Sequence, residues 1–215
     1  MDLLGANLPL LLKAMGMTLM LGVVSFVIGC ALGAVIALAR LAPMRSVRIV
    51  ARCYVSLFRG TPLLIQVFLI YFGLPQLGVQ IPPIQSAILA FSLYAAAYLS
   101  EHFRAAITGV DKGQWEAASS LGMSYPRLLR RVIVPQAVRL ATPSVGGQFI
   151  HLVKDTSLAS VITVVELTQA AQRVGTASFE YMQAFLVAAL AYLIINTTLT
   201  IGQGLLERRM ERAYA

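Results

Sequence analysis

No charged side chain occurs at positions 14–39, 60–100 or 181–206, runs of 26, 41 and 26 residues. A bilayer crossing takes about 20 apolar residues. Inside hydrocarbon every backbone N–H and C=O must find a partner within the protein, so spans of this kind are helices or closed barrels. Runs this long point to helices. The run at 60–100 is too long for one helix. Gly73, Pro75, Gly78 and Pro82-Pro83 punctuate it, so it divides into two spans. A fourth candidate is weaker: 140–153 is uncharged, and reaching back to Pro135 past Arg139 gives it spanning length, with Pro143 and Gly146-Gly147 inside. The ten-residue stretch 156–165 is too short to cross and suits a re-entrant or half-buried segment. The reading is an all-α polytopic membrane protein with one transmembrane domain over 1–215. Its five transmembrane helices lie near 14–40, 55–74, 84–104, 135–154 and 179–206.

Composition agrees. Hydrophobic residues make up 58% of the chain and charged residues 12%, about half the charge of a soluble domain. Disorder needs low hydrophobicity and is excluded. The net charge of +8 (17 Lys+Arg less 9 Asp+Glu) would suggest nucleic acid if it formed a basic patch. Here the cations flank apolar runs, which favours a lipid membrane and no nucleic acid. Cys30 and Cys53 make neither a disulfide framework nor a metal site. Val27-Ile28-Gly29-Cys30 looks like a lipoprotein cleavage box, but apolar residues continue past Cys30, so a retained first span is expected.

Most of the cations lie on one side. Arg40, Arg45, Arg48, Arg52 and Arg59 follow the first span. Arg104, Lys112, Arg127, Arg130, Arg131 and Arg139 follow the third, and Arg208, Arg209 and Arg212 the last. Lys13, Lys154 and Arg173 fall on the other side. Lys and Arg near span ends stay cytoplasmic, so the N-terminus is expected outside and the C-terminus in the cytoplasm. Arg45, Arg48 and Arg52 share a helical face and suit anionic head groups.

The loop 111–126 is unlike the rest. A short helix is expected over 114–121, ended by Gly122 as a left-handed cap. Ser124 then serves as N-cap, with Pro126 in the next first turn. Trp115, Leu121 and Met123 are apolar groups on this polar segment. They are either a partner surface or tucked under the bundle.

Glu116-Ala117-Ala118, Gly122, and Val132, Val134 and Pro135 resemble the EAA loop of ABC importer permeases, with Val132 and Val134 as mild departures. The resemblance implies a type I importer permease fold. In that family the loop docks on an ATPase subunit, a role it implies here for Trp115, Glu116, Ala117, Ala118, Leu121 and Gly122. Phe58-Arg59-Gly60-Thr61-Pro62, Tyr71-Phe72-Gly73-Leu74-Pro75 and Lys154-Asp155-Thr156-Ser157-Leu158 are similar to the polar amino-acid permeases. The stretch 107–122 looks most like L-cystine permeases. Implied partners are an ABC ATPase, a periplasmic or extracellular solute-binding protein and a second permease copy (homodimer, or heterodimer with a relative). Implied location is the bacterial cytoplasmic (inner) membrane. No cofactor is expected in this chain, and no P-loop motif is present, so ATP and Mg would sit on the ATPase.

An ionisable group at membrane depth is a functional candidate by default. Asp155, Thr156, Ser157, Glu166 and Tyr98 are therefore substrate-site candidates. The Glu166 carboxylate suits a substrate ammonium, and Thr156 and Ser157 suit a carboxylate. Helix capping and pairing of Asp155 with Lys154 are the plainer readings. Glu101 and Arg104, three apart, should pair. His151 is expected hydrogen-bonded within span 4. No metal set and no catalytic motif is present, so a transporter subunit is expected rather than an enzyme. The competing reading is an ion-coupled secondary transporter working without an ATPase. It should carry an internal repeat, which is not seen.

Overall fold

The computed structural model describes residues 2–212 as helices and short connections, with no strand among them. Helix α1, Asp2–Leu41, lies against α4, Pro83–Thr108, and this pair forms the centre. The close approach has a local cause. Gly29 and Gly33 face α4 one turn apart, and a Cβ on Gly29 would lie 2.8 Å from that of Ala95. Small residues at this spacing let two membrane helices touch backbone to backbone. Ala95, Ala96 and Leu99 across the contact are fully buried, and Cys30 packs beside them.

After α1 the chain turns through Ala42-Pro43 into α2, Arg45–Gly60. Arg48 donates to the carbonyls of Ala42 and Pro43, both at 2.8 Å. Its guanidinium thus closes the end of α1 instead of reaching for lipid beside Arg45 and Arg52. The span expected at 55–74 is not one straight helix. Arg45–Gly60 and Leu63–Leu77 meet at 104°, because Pro62 bars helical geometry at Thr61 (φ −116, ψ 144). Gln66 holds the break, its amide donating to the carbonyls of Phe58 (2.9 Å) and Thr61 (3.1 Å).

Beyond the break, α3 (Leu63–Phe68) widens into a π turn, Leu69–Gly73, then tightens to a 3-10 turn, Leu74–Leu77. The same device recurs later. Helix α5, Lys112–Ser120, leads to α6, Tyr125–Leu128, a π turn Leu129–Ile133, and α7, Val134–Asp155. Each π turn ends two residues before a proline, Pro75 or Pro135. A proline ring needs room at the carbonyl four residues back, and a wide turn supplies it.

A 3-10 segment, Thr156–Ile162, follows α7 and runs into the interior against α1, α3, α4, α7 and the helix that comes after it. Ala159 and Ile162 are fully buried, as the half-buried expectation requires. Thr163 then takes a left-handed turn (φ 70) into α8, Leu167–Ser178, and α9, Tyr181–Arg212.

By length and apolarity Asn7–Leu41, Pro83–Thr108 and Tyr181–Met210 can cross a membrane, and the bent pair would make a fourth. Helix α7 coincides with the span expected at 135–154 but is not among them, since Arg139 and several polar groups dilute it.

Candidate functional site

The membrane interior of α4 carries polar groups in a row. Tyr94, Tyr98 and His102 recur every fourth residue and so share one face. The rings of Tyr94 and Tyr98 stand 4.7 Å apart. The Arg59 guanidinium, brought in by the break at Thr61-Pro62, lies 5.1 Å over the Tyr98 ring. Such a cation over an aromatic face is favourable. From α7, Gln148 meets His102 and Asp155 lies within electrostatic reach of Tyr94. Helices α2, α4 and α7 thus share a polar track, with Asp155 at one end and Arg59 and His102 at the other.

Among the described residues no ion pair joins Asp155 to Lys154; all three ion pairs converge on Glu101. Arg40 and Arg104 both bond its carboxylate, and Arg59 lies 3.9 Å from it. The Glu101–Arg104 pair expected from spacing is present, and tertiary packing adds two cations from α1 and α2. One carboxylate facing three guanidiniums ties three elements together just below the polar track. His151, expected to be bonded within its helix, is exposed.

The remaining substrate candidates sit deeper. Glu166 has no exposed surface. It is the N-cap of α8, its oxygens accepting from the amides of Thr168 (2.9 Å) and Gln169 (2.8 Å). The Tyr192 hydroxyl of α9 donates to it as well, at 2.7 Å. Three donors occupy the carboxylate in this arrangement. Thr156 is also fully buried, its hydroxyl donating to the Val153 carbonyl at 2.7 Å. Ser157 is half-buried and follows it along the inward 3-10 segment. Tyr98 and Asp155 share the polar track, whereas Glu166 and Thr156 meet near Tyr192. Tyr94, His102 and Gln148 were not anticipated, although the four-residue spacing of Tyr94, Tyr98 and His102 is visible in the sequence.

The loop is built as a rigid finger. Asp111 caps α5, its carboxylate accepting from the Gly113 amide at 2.8 Å. At the other end Gly122 is left-handed (φ 71), with Met123 N–H donating to the Ala118 carbonyl and Gly122 N–H to that of Ser119. This is the Schellman arrangement. Ser124 stands at the next N-cap position but makes no side-chain cap bond. The apolar groups divide. Trp115 and Met123 pack with buried Ala118, Leu128 and Ile133 under the bundle. Leu121 is 81% exposed, and Glu116 and Ala117 are exposed beside it. Gln136 of α7 donates to the Gln114 side chain at 3.1 Å, fixing the finger to the rod behind it.

Comparison with known proteins gives this arrangement a family. Residues 25–212 match the family described as "Binding-protein-dependent transport system inner membrane component". The chain is 43% identical over 208 residues to the L-cystine transport system permease protein TcyB of Bacillus subtilis, covering 96% of this chain and 89% of that one. It is 40% identical over 203 residues to the probable amino-acid ABC transporter permease protein YckA of the same organism, covering 94% and 90%. A crystal structure of an amino acid ABC transporter with histidines superposes at TM-score 0.92 and 36% identity, over 96% of both chains. A MetNI methionine ABC transporter in an inward-facing form shares the fold at TM-score 0.76 and 20% identity, over 95% and 97%. The chain therefore belongs to the binding-protein-dependent transport system inner membrane components, among the amino-acid ABC transporter permeases.

Proposed function

We propose that this chain is the membrane subunit of an importer that moves a polar L-amino acid, cystine being the lead candidate, by alternating access. A separate ATPase drives it by docking on the exposed Glu116, Ala117, Leu121 and Gly122, which Trp115 and Ala118 hold from beneath. The observation that carries this reading is the finger at 111–126. Its base is anchored by Trp115 and Met123, its tip is stiffened by the Gly122 turn, and it leaves Leu121 bare. A rigid element with an exposed apolar tip suits docking and the transmission of movement. Two copies would line the pathway in five spans each, N-terminus outside. A solute-binding protein would deliver cargo to the outer face, and ATP and Mg would stay on the ATPase.

On the cargo side, the polar track supports Asp155 as the partner of a substrate ammonium and Tyr98 as a contact on its wall. Thr156, Ser157 and Glu166 complete the proposed site from the inward segment, Glu166 by shaping it while three donors hold its carboxylate. Arg59, at the other end of the track, is a candidate partner for a carboxylate elsewhere on the cargo. The cystine assignment rests on the relative bearing that name and on the likeness of 107–122 to cystine permeases.

The test uses the chain co-expressed with its ATPase and binding protein in proteoliposomes. Gly122→Val should lose ATPase co-purification and ATP-driven uptake, while Asp155→Asn should keep the ATPase and lose uptake. Intact ATPase capture with Gly122→Val would overturn the docking role. Uptake driven by an ion gradient without ATP would overturn the importer reading, and an unaltered cargo profile with Asp155→Asn the site. A binding protein indifferent to cystine would overturn that lead.

A further inference from the structure

Two cavities open side by side along the rod formed by residues 125–155. One, of about 340 Å³, lies among α1, α4 and α7 and is almost wholly apolar, with Leu38, Phe103, Ile107, Val134 and Val138 on its walls. The other, of about 470 Å³, is bounded by Ser124, Pro126, Arg127, Arg130 and Arg131. Val134, Val138 and Thr142 follow at four-residue intervals on one face of α7, and Arg130 precedes them across the π turn, so residues lining the two cavities follow one another along the rod. Arg127, Arg130 and Arg131 are exposed, and among the described residues none of them takes part in an ion pair.

Depth decides what can fill the pair. Leu38 and Ile107 belong to the final turns of α1 and α4, two helices of membrane length, next to Arg40 and Arg104. At that depth the apolar cavity would face acyl chains, and the arginine cavity would stand where head groups begin. An acidic protein surface would satisfy the arginines and leave the apolar cavity unfilled. A second copy related by a twofold axis would set arginine against arginine if it met the same patch. An amphiphile with a phosphate head and a hydrocarbon tail fits both halves. We infer that this face binds an anionic phospholipid, its phosphate among Arg127, Arg130 and Arg131 and one acyl chain in the groove beneath Val134 and Val138. Each basic side chain near anionic lipid adds roughly fivefold in affinity, so three arginines give roughly a hundredfold at most.

The experiment titrates the purified full chain, in neutral detergent, with phosphatidylglycerol, with phosphatidylcholine of the same acyl chains, and with glycerol phosphate. Adducts are counted by native mass spectrometry. Phosphatidylglycerol should bind at least about tenfold more tightly than phosphatidylcholine, and glycerol phosphate should leave no adduct. The triple substitution R127Q/R130Q/R131Q should abolish the preference. V138W, made at an exposed wall of the groove, should weaken both lipids while the chain stays helical by circular dichroism. Equal retention of the two lipids by the unaltered chain overturns the site, as does phosphatidylglycerol binding that survives the triple substitution. Glycerol phosphate binding as tightly as the lipid would overturn the acyl half of the site, leaving an anion pocket. Loss of the ATPase from the triple variant with its lipid preference intact would assign the arginines to a protein surface instead.

Discussion

Removing the Glu166 carboxylate should destabilise the fold whether or not it affects cargo. Glu166→Ala leaves the amides of Thr168 and Gln169 and the hydroxyl of Tyr192 without their acceptor, in a place with no exposed surface. Truncating an N-cap costs about 1 kcal/mol. A buried donor left unpaired costs roughly 1–3 kcal/mol. Hydrogen bonds measured inside membrane bundles average nearer 0.6 kcal/mol, because the unfolded chain also finds partners. Together these bracket Glu166→Ala at about 2–4 kcal/mol. Glu166→Gln keeps one oxygen as an acceptor but turns an N–H toward the donor or donors on the other side, so about 1–2 kcal/mol is expected. Tyr192→Phe alone should cost about 1 kcal/mol. Added to Glu166→Ala it should cost almost nothing, since it then removes a hydroxyl that has already lost its acceptor. The double-mutant cycle should therefore show about 1 kcal/mol of coupling. The assay is reversible unfolding in SDS followed by far-ultraviolet circular dichroism, with uptake measured on the same preparations. An unfolding midpoint for Glu166→Ala equal to that of the parent, together with additive effects of the two substitutions, would refute the capping role. Unchanged stability with abolished uptake would instead give the carboxylate to the cargo.

Packing and backbone geometry set further outcomes. Gly29→Leu should cost about 1–3 kcal/mol by overpacking against Ala95, seen as a lowered SDS midpoint. Gly16→Ala, where a Cβ meets nothing within 4 Å, should fall within about 1 kcal/mol of the parent in the same titration. Glu101→Gln removes the one acid facing Arg40, Arg59 and Arg104. With its side chain 25% exposed, a loss of about 1–3 kcal/mol is expected, below the range for a fully buried pair. Arg59→Gln, at the longest of the three contacts, should cost less than half as much by the same measurement. Gly122→Asn should be tolerated better than Gly122→Val, because asparagine enters the left-handed region more readily; protease protection of the loop checks the order.

Much of the local structure was legible because its causes are local. Uncharged runs locate α1, α4 and α9. Gly122 marks the end of α5 within two residues, since a cap acts on the turn it closes, whereas the Asp111 cap starts the helix two residues before the expected Gln114. That 156–165 does not cross was legible from its length, which left open whether it turns back or lies half-buried. Other features were written in the chain less openly. Thr61-Pro62 forces the 104° bend, yet a run counted only by absence of charge hides it. Gly29 and Gly33 have the spacing of a tight helix contact. The four-residue spacing of Tyr94, Tyr98 and His102 announces a polar face on an apolar helix.

By itself the sequence determined that the chain is helical and membrane-bound, where its charges gather, and that one polar loop is shaped as a finger. Hydrophobicity, proline geometry and capping act over a few residues, so no fold is needed to see them. Only the tertiary structure decided which polar groups meet. Gln148 comes to His102 from another helix, Arg40 and Arg59 join Glu101 from α1 and α2, and Tyr192 reaches Glu166 across 26 residues. Trp115 was drawn under the bundle while Leu121 stayed bare. Whether an ionisable group within an apolar bundle is occupied or open to a ligand depends on which donors packing places within about 3 Å of it, and those donors come from elements distant in the chain.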